Sequence, residues 1–346
     1  MKALRAATRR IRFLLHYALV RQRRDARDLA LLATSDYFDP RYYLDRYADV
    51  AQSGMDPLLH YVDHGAAELR RPSRKFDTNF YVSAPPDAPP RDGSLPVRDI
   101  TTPLSPLRPD IIVNAVAFTD VDGAERTPEA SFKVNHDGAR RVAEAAASLG
   151  VPLVHLSTEY VFDGDSDRPY READPTAPLN MYGRSKLSGE AAVAEITADH
   201  AILRTSWLYS PYSRNFFTKV LERSRSSTEI PVVADRLGSP TSAFELARGI
   251  EQVARNLLGW RDGRRGRGMF HMTCAGETSW AGFASEILRN TDCRVRPVTS
   301  DSFVELAPRP MNSRLCNDLS DVHGVVLARW QDALSEVWTR YGDVGR

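Results

Sequence analysis

The sequence "VPLVHLSTEY" (151–160) decides the fold class, because it has the pattern of a buried strand that ends in small polar residues. A helical pattern, "SKLSGEAAVAEI" (185–196), and a second apolar strand, "HAILRTSWLY" (200–209), follow it. Upstream, "DIIVNAVAF" (110–118) predicts another buried strand, and the pattern of residues 127–150 is helical. Strands that alternate with helices predict an α/β fold with a doubly wound, Rossmann-like parallel sheet.

Four regions are predicted in this 346-residue chain. They are a basic amphipathic helix (1–34), a helical repeat segment (35–90), an incomplete Rossmann-like core (97–225) and a smaller α+β substrate domain (226–346). The expected architecture is therefore an incomplete doubly wound sheet, with a second domain after it and a helical extension before it.

The helical extension contains an internal repeat. "YFDPRYYLDRYADV" (37–50) aligns with "KFDTNFYVSAPPDA" (75–88) at an offset of 38 residues. A period of this size predicts stacked helical units. With the intervening "DPLLHYVDHG" (56–65), the region resembles the FD-x-x-x-YL repeat that accompanies glycosyltransferases of surface-polysaccharide synthesis. The second copy ends in the Pro-rich "APPDAPPRDG" (84–93).

Charge and cysteine content narrow the functional classes. The formal net charge is +1, which gives no reason to expect nucleic acid binding. Residues 1–34 nevertheless carry nine Lys/Arg against two Asp, a pattern that fits either peripheral contact with an anionic membrane or a solvated helix that covers its own protein. The three cysteines lack metal-type spacing, so no metal-binding residues are predicted, and they indicate a reduced, cytoplasmic protein rather than a disulfide framework.

Tyr182 and Lys186 form the candidate catalytic pair. They stand at i and i+4 and therefore share one helix face. A nearby cation favours a phenolate and so lowers the pKa of the phenol, as a proton donor to a ketone requires. Ser157 and Thr158 follow a strand at the carboxyl edge of the sheet, where open α/β sheets bind ligands. The pair alone is a weak signal, since an exposed Tyr-x-x-x-Lys pair arises often by chance.

The wider context is more specific. The chain from Arg108 onward resembles dTDP-4-dehydrorhamnose reductases of the extended short-chain dehydrogenase/reductase superfamily. The matching segments are "RPDIIVNAVAFTDVDGAE", "VNHDGARRVAEAA", "VHLSTEYVFDG", "PLNMYGRSKLSGE", "ILRTSWLY", "DRLGSPTSAFELA" and "RPMNSRLC". They occur in the family's order. Two positions depart from the family pattern: Glu159 replaces the usual Asp, and Val116 replaces the usual Ala.

The resemblance implies a role for each candidate site residue. The catalytic set is Tyr182 as general acid, Lys186 beside it, and Thr158 with Ser157 at the sugar carbonyl. The cofactor-binding set adds Ala115, Val116, Ala117 and Asn135 to Tyr182 and Lys186. The substrate-binding set is Tyr160, Trp207, Asn312 and Arg314. The alternatives are structural: Asn135 as a bridge, Trp207 as core and Arg314 as a surface ion pair.

The cofactor implied by the resemblance is NADPH, with NADH as the alternative. A Rossmann-type site begins with a strand, a glycine-rich turn and a helix, which together bind the pyrophosphate. No apolar strand with G-x-x-G-x-x-G after it stands ahead of "VRDITTPLSPLRPDIIVNA" (97–115). "GRRGRG" (263–268) follows a helix and reads as a basic loop. We therefore expect weak cofactor binding, and an exposed apolar edge at the first strand unless the N-terminal region or a partner covers it.

The implied reaction is NADPH-dependent reduction of the C4 ketone of dTDP-4-dehydro-L-rhamnose to dTDP-L-rhamnose for surface polysaccharide. The alternative is a catalytically inactive, reductase-like protein that binds a sugar nucleotide and regulates or accompanies glycosyltransferases. A recombined gene product that folds poorly is a third alternative. The oligomeric state, including a homodimer, is left open by the sequence.

Overall fold

The computed structural model describes residues 38–53, 56–60, 109–212, 215–260, 265–317 and 319–342. The chain divides into two units, of which the first contains residues 38–60 and the second contains residues 109–342. The predicted helix 1–34 and the second repeat copy lie outside the described residues. The predicted boundary at residue 225 stays a prediction.

The described part of the first unit is helical, as the repeat predicted. It contains α1 (Pro40–Arg46), α2 (Ala48–Ser53) and α3 (Pro57–His60). Asp39 begins α1, and its carboxylate accepts a hydrogen bond from the Tyr42 N–H at 3.1 Å, as an N-cap does.

The two aromatic residues of the repeat motif form the centre of this unit. Phe38 and Tyr43 are buried with Val50, and their ring centroids lie 5.6 Å apart. The motif FD-x-x-x-YL therefore supplies one cap and the aromatic core of a helical unit.

The second unit alternates strands and helices. Its elements in chain order are β1 (Ile112–Asn114), α4 (Val121–Arg126), α5 (Pro128–Phe132), a π-helical segment (Lys133–Gly138), α6 (Ala139–Leu149), β2 (Leu153–Thr158), a 3-10 turn (Glu159–Val161), α7 (Met181–Ile196), β3 (His200–Thr205), β4 (Leu208–Tyr209), α8 (Phe216–Ser224), β5 (Glu229–Val233), β6 (Leu237–Gly238), β7 (Thr241–Ser242), α9 (Ala243–Gly259), β8 (Gly268–His271), β9 (Thr278–Ser279), α10 (Trp280–Ile287), β10 (Arg294–Val298), a second 3-10 turn (Ser300–Ser302), β11 (Asn312–Ser313), α11 (Leu319–His323) and α12 (Trp330–Gly342).

The central sheet is parallel, as predicted. Its described strands lie in the order β1-β2-β3-β8, and each neighbouring pair is parallel. Leu153, Val154 and Leu203 in β2 and β3 are fully buried, because helices cover both faces of such a sheet. Leu153 packs with Ala143 of α6 and other apolar residues in one core cluster. Because the strands are parallel, the carboxyl ends of β1, β2, β3 and β8 lie along the same edge of the sheet.

The expectation of a fully buried strand at 110–118 is wrong. Only Ile112–Asn114 is strand, and Ile112 and Val113 are half-buried. Val116, just beyond it, is 45% exposed. Within the described residues β1 has a partner, β2, on one side only, so its side chains lie at the border of the sheet rather than in its middle. The expected exposure of this apolar edge stays a prediction.

The predicted helix 127–150 ends at Gly150, as expected, but it is not a regular α-helix. Gly150 has φ 64°, the left-handed conformation of a helix C-cap. Lys133–Gly138 forms a π-helical segment that contains the buried Asn135. At Gly189 of α7 a Cβ atom would lie 2.1 Å from the Asn135 carbonyl oxygen. This close approach comes from helix packing, which hydrophobic periodicity does not reveal.

The region after residue 225 has small sheets and helices, in agreement with the predicted α+β character. β10 pairs with β5, β11 and β9 flank β6, and β4 pairs with β7. The strand predicted after the basic loop 263–268 is β8. None of the described helices is both long and apolar enough to cross a bilayer.

We expect the buried ion pair between Glu190 and Arg204 to be important for stability. Arg204 donates to both carboxylate oxygens of Glu190, at 2.9 and 2.7 Å, and both side chains are buried. Glu190→Ala would leave the guanidinium buried without its partner, which lowers the free energy of unfolding by about 3–5 kcal/mol. Urea denaturation measures this change.

The matched control is Glu144→Ala. Glu144 pairs with Arg140 at 3.1 Å on the exposed face of α6, and such an i,i+4 pair contributes less than about 0.5 kcal/mol. Equal losses in the two variants would contradict the importance of the buried pair.

Candidate active site

The first turn of α7 carries Tyr182 and is held by polar contacts. The side-chain oxygen of Asn180 accepts a hydrogen bond from the Gly183 N–H at 2.8 Å, and the side-chain amide nitrogen of Asn180 donates to the Pro308 carbonyl at 2.8 Å. Glu125 accepts from the Met181 N–H at 2.7 Å. A Cβ at Gly183 would lie 2.2 Å from the Tyr160 carbonyl oxygen. The glycine thus lets the helix start lie directly against the turn that follows β2.

Lys186 lies beneath this turn, one helical turn after Tyr182. Its side chain is 2% exposed, and its Nζ donates to the Leu156 carbonyl oxygen of β2 at 2.6 Å. Burial lowers the pKa of Lys186 to about 8, while the negative charge of Glu190 raises it. The ammonium group is therefore placed between α7 and the carboxyl end of β2 as a cation that titrates close to neutral pH.

The phenol of Tyr182 is close to the strand end, as predicted. The Thr158 side chain lies near it and lowers the pKa of Tyr182. Burial and the negative charge of Glu159 raise that pKa by more. The net shift is therefore opposite to the lowering of the Tyr182 pKa that was expected from the sequence. The structure thus brings Tyr182, Lys186 and Thr158 together.

The loop after β1 is the predicted lining of the cofactor site, and Ser157 is the predicted neighbour of Thr158 at the sugar carbonyl. The hydroxyl of Ser157 is buried without a hydrogen-bond partner in the part of the chain that the structure describes. Ala115 and Val116 are exposed and Ala117 is half-buried. An unpartnered buried hydroxyl beside an open loop is a place where a polar ligand group fits. These residues therefore fit the nicotinamide end of a dinucleotide.

Asn135 supports this loop directly. Its side-chain oxygen accepts from the Phe118 N–H at 2.8 Å, and its amide donates to the Phe118 carbonyl and to the Ser185 hydroxyl at 3.2 and 2.9 Å. The family resemblance also implies that Asn135 supports Lys186 through a water molecule, and this stays a prediction. Asn135 joins the loop after β1 to α7 through these direct bonds.

Tyr160 and Trp207 were predicted to flank the sugar. Tyr160 packs its ring edge-on against Tyr182, at 5.4 Å between centroids. Trp207 is buried and stacks on Trp280 at 3.8 Å. Trp207 also has a left-handed φ of 45°, which is strained for a residue with a Cβ. Its ring thus belongs to an aromatic stack, while its backbone N–H lowers the pKa of the nearby Glu159 carboxyl group.

The side chains of Asn312 and Arg314 form hydrogen bonds with other groups of the protein rather than face an open cleft. Asn312 donates to the carbonyls of Ser166 and Arg168 at 2.7 and 2.8 Å and accepts from Arg314 Nε at 2.9 Å. Arg314 Nη2 donates to the Asp167 carbonyl at 2.7 Å. A diphosphate at Arg314 would have to replace these bonds, so the structure gives the two residues a structural task. Their predicted substrate contact stays a prediction.

Three further side chains lie near the site, and the sequence predicted a role for none of them, although Glu159 is one of the departures from the family pattern. Arg309 and Arg236 exert an electrostatic effect that lowers the pKa of Tyr160. Arg236 pairs with Glu305 at 2.7 and 2.6 Å. Glu159 is buried beside Thr158. Each belongs to a motif that carries the family resemblance, but the motif does not reveal which of its residues face the tyrosines.

Comparison with known proteins identifies the family. The protein-family model for the RmlD substrate binding domain matches residues 79–342. A dTDP-4-dehydrorhamnose reductase of Sinorhizobium fredii is 45% identical over 238 residues, which are 66% of this chain and 80% of that protein. The chain belongs to the dTDP-4-dehydrorhamnose reductase family. The Escherichia coli reductase is 37% identical over 234 residues, 65% of this chain and 77% of that protein.

Solved structures of family members agree with the fold. The Clostridium acetobutylicum dTDP-4-dehydrorhamnose reductase has a TM-score of 0.66 at 33% identity, over 70% of this chain and 84% of that one. The Bacillus anthracis enzyme, solved in complex with NADP, has a TM-score of 0.65 at 34% identity, over 69% and 84%. These comparisons confirm the family resemblance and the Rossmann-like α/β class that the sequence predicted.

We expect Lys186→Met to stabilise the fold at neutral pH. Because the pKa of Lys186 is about 8 in the folded chain and ordinarily near 10.5, the burial penalty of the ammonium is fully present below pH 8. It disappears as the pH rises toward 10.5, where the unfolded chain also loses its proton. The variant should raise the free energy of unfolding by about 1–3 kcal/mol at pH 7, and the gain should shrink by pH 10.

The control for this measurement is Lys219→Met, which removes an exposed lysine of α8. Urea denaturation of both variants at pH 7 and pH 10 measures whether the gain in the free energy of unfolding depends on pH. A gain in Lys186→Met that is equal at the two pH values would show that its source is packing rather than charge.

Proposed function

We propose that this chain reduces the C4 ketone of dTDP-4-dehydro-L-rhamnose with NADPH and yields dTDP-L-rhamnose for surface polysaccharide. The observation that carries the proposal is the placement of Tyr182, Lys186 and Thr158 around the carboxyl end of β2, in a chain whose relatives at up to 45% identity are dTDP-4-dehydrorhamnose reductases. NADP in the related Bacillus anthracis structure supports the choice of cofactor.

Each residue of the group has a task in this reaction. Tyr182 gives its proton to the carbonyl oxygen, and the Thr158 hydroxyl binds the same oxygen. Lys186 places a positive charge under the phenol and stabilises the phenolate that remains. Ser157 and the loop 115–117 would hold the nicotinamide end of NADPH, and the cofactor supplies the hydride. Tyr160 and Trp207 would limit the sugar pocket.

The cofactor's phosphates are a separate question. We propose that this chain lacks the family's glycine-rich first unit, and two observations support this. No G-x-x-G-x-x-G motif precedes residue 97, and about a fifth of the Sinorhizobium fredii relative is not matched. Without that backbone cradle the dinucleotide would be held mainly through its nicotinamide end, so binding should be weak. The same gap favours a second candidate, an inactive sugar-nucleotide-binding or regulatory protein.

A cofactor titration separates the two candidates. If the chain is a reductase, NADPH fluorescence should saturate at or below millimolar concentration. Tyr182→Phe should keep the dissociation constant within about twofold and lose turnover by about 10²–10⁴-fold, because it removes only the proton donor. Tyr341→Phe, which removes a phenol bonded to Arg225, is the control and should keep normal turnover. No saturation with wild-type protein would contradict the reductase proposal and favour the binding protein.

We further propose that residues 1–90 place the enzyme near glycosyltransferases of polysaccharide assembly. The repeat unit 38–60 has its own aromatic core, and a unit of this kind buries its remaining faces against neighbours. The basic segment 1–34 supplies positive charge for an anionic membrane surface.

Vesicle sedimentation tests the membrane contact. The full chain should sediment with vesicles of anionic lipid and not with neutral ones, and the bound fraction should fall in high salt. Exchange of Arg9, Arg10 and Arg12 for Glu should abolish sedimentation, whereas the same exchange at Arg289, Arg294 and Arg296 should not. Equal binding to neutral vesicles would contradict an electrostatic contact.

A further inference from the structure

Glu159 is a buried carboxyl group at the centre of the proposed site. Its side chain is 4% exposed and directly follows Thr158. The Thr158 hydroxyl donates a hydrogen bond to Glu159 Oε2 at 2.8 Å, and the backbone N–H groups of Glu159 and Trp207 lower the pKa of the carboxyl group, though by less than burial raises it. A carboxylate with so little compensation is costly to bury, so its neutral form is favoured.

The Thr158 hydroxyl joins this carboxyl group to the proposed proton donor. Thr158 Oγ1 donates to Glu159 Oε2 at 2.8 Å and accepts from the Tyr160 N–H at 3.2 Å. The Tyr182 phenol also lies near Thr158, which lowers the pKa of that phenol. A hydroxyl has one proton and two lone pairs, so it cannot donate to Glu159 and to a second acceptor at once.

Resting on the proposed reductase function, we propose that Glu159 is a positioning residue whose own protonation decides where the Thr158 hydroxyl proton points. When Glu159 is ionised, Thr158 donates to the carboxylate and offers the substrate carbonyl only lone pairs. When Glu159 is protonated, it donates to Thr158 instead, and the threonine proton is free for the carbonyl oxygen. Only the protonated state presents both Thr158 and Tyr182 as donors to the ketone.

The surrounding charges act in the same direction. Ionised Glu159 raises the pKa of Tyr182 and of Tyr160 and so makes the phenol a weaker acid. The other charged groups nearby are Lys186 beneath Tyr182, and Arg309 and Arg236 beside Tyr160.

Glu159 is the first of these groups to titrate near neutral pH. Burial raises its pKa to about 7, whereas Lys186 follows at about 8. The carbonyl-binding state should thus be populated below pH 7 and be lost above it.

A single-turnover experiment tests the consequence for the reaction. With saturating NADPH and dTDP-4-dehydro-L-rhamnose, the wild-type rate should fall about fourfold between pH 6 and pH 7.5, as the protonated fraction of a group with pKa near 7 does. Glu159→Gln keeps an N–H donor for Thr158 and cannot ionise, so its rate should change less than about 1.5-fold over the same range. Glu159→Asp restores a titrating carboxyl and should restore the fall. If the rate of Glu159→Gln fell with pH as much as the wild-type rate does, the proposal would be overturned.

An infrared titration of the ligand-free protein tests the coupling without turnover. The carbonyl stretch of the protonated carboxyl, isolated by subtraction of the Glu159→Gln spectrum, should be lost with a midpoint near pH 7. Thr158→Val removes the donor to the ionised form and should move that midpoint up by about one pH unit. An unmoved midpoint would overturn the proposal. Absence of turnover in wild-type protein together with a moved midpoint would contradict the reductase function and leave the role of Glu159 intact.

Discussion

The structure depends on one buried face of α7, which carries Tyr182, Lys186 and Glu190 at successive helical turns. Lys186 and Glu190 are buried, and the hydroxyl of Tyr182 faces Thr158. A buried polar group costs free energy unless it is satisfied, so each of the three needs a partner. The partners are Thr158 for the phenol, the Leu156 carbonyl for the ammonium and Arg204 for the carboxylate. The packing of α7 on β2 and β3 is therefore specified by polar contacts as well as by apolar area.

This arrangement joins stability to chemistry. The Glu190–Arg204 pair stabilises the end of the face that is remote from the reaction, and Glu190 also raises the pKa of Lys186. Lys186 is destabilising in its charged form because it is desolvated. The folded chain is therefore less stable than it would be without the buried cation that lies beneath the phenol. This is the pattern expected of a proton-transfer site.

Close backbone approaches complete the site. Gly183 permits contact with the Tyr160 carbonyl and Gly189 with the Asn135 carbonyl, so α7 lies nearer to its neighbours than side chains would allow. On the opposite side, the strained backbone of Trp207 turns its N–H toward Glu159. Strain of this kind persists where surrounding contacts determine it, here the stack on Trp280 and the close fit of the ring against Gly238. The carboxyl end of β2 thus lies close to α7 and to the backbone at Trp207, which are far from each other in the sequence.

The sequence by itself determined the α/β class, the order of strands and helices, the family and the set Tyr182, Lys186 and Thr158. These follow from local patterns: apolar runs, the i,i+4 spacing and motifs whose residues are contiguous. Only the tertiary structure decided that β1 is a half-buried border strand, that Asn312 and Arg314 bond protein groups, and that Glu159 lies between Thr158 and Trp207. The reason is physical, since burial, the partner of a hydroxyl proton and the charge felt by a phenol depend on groups far apart along the chain, and no local pattern records them.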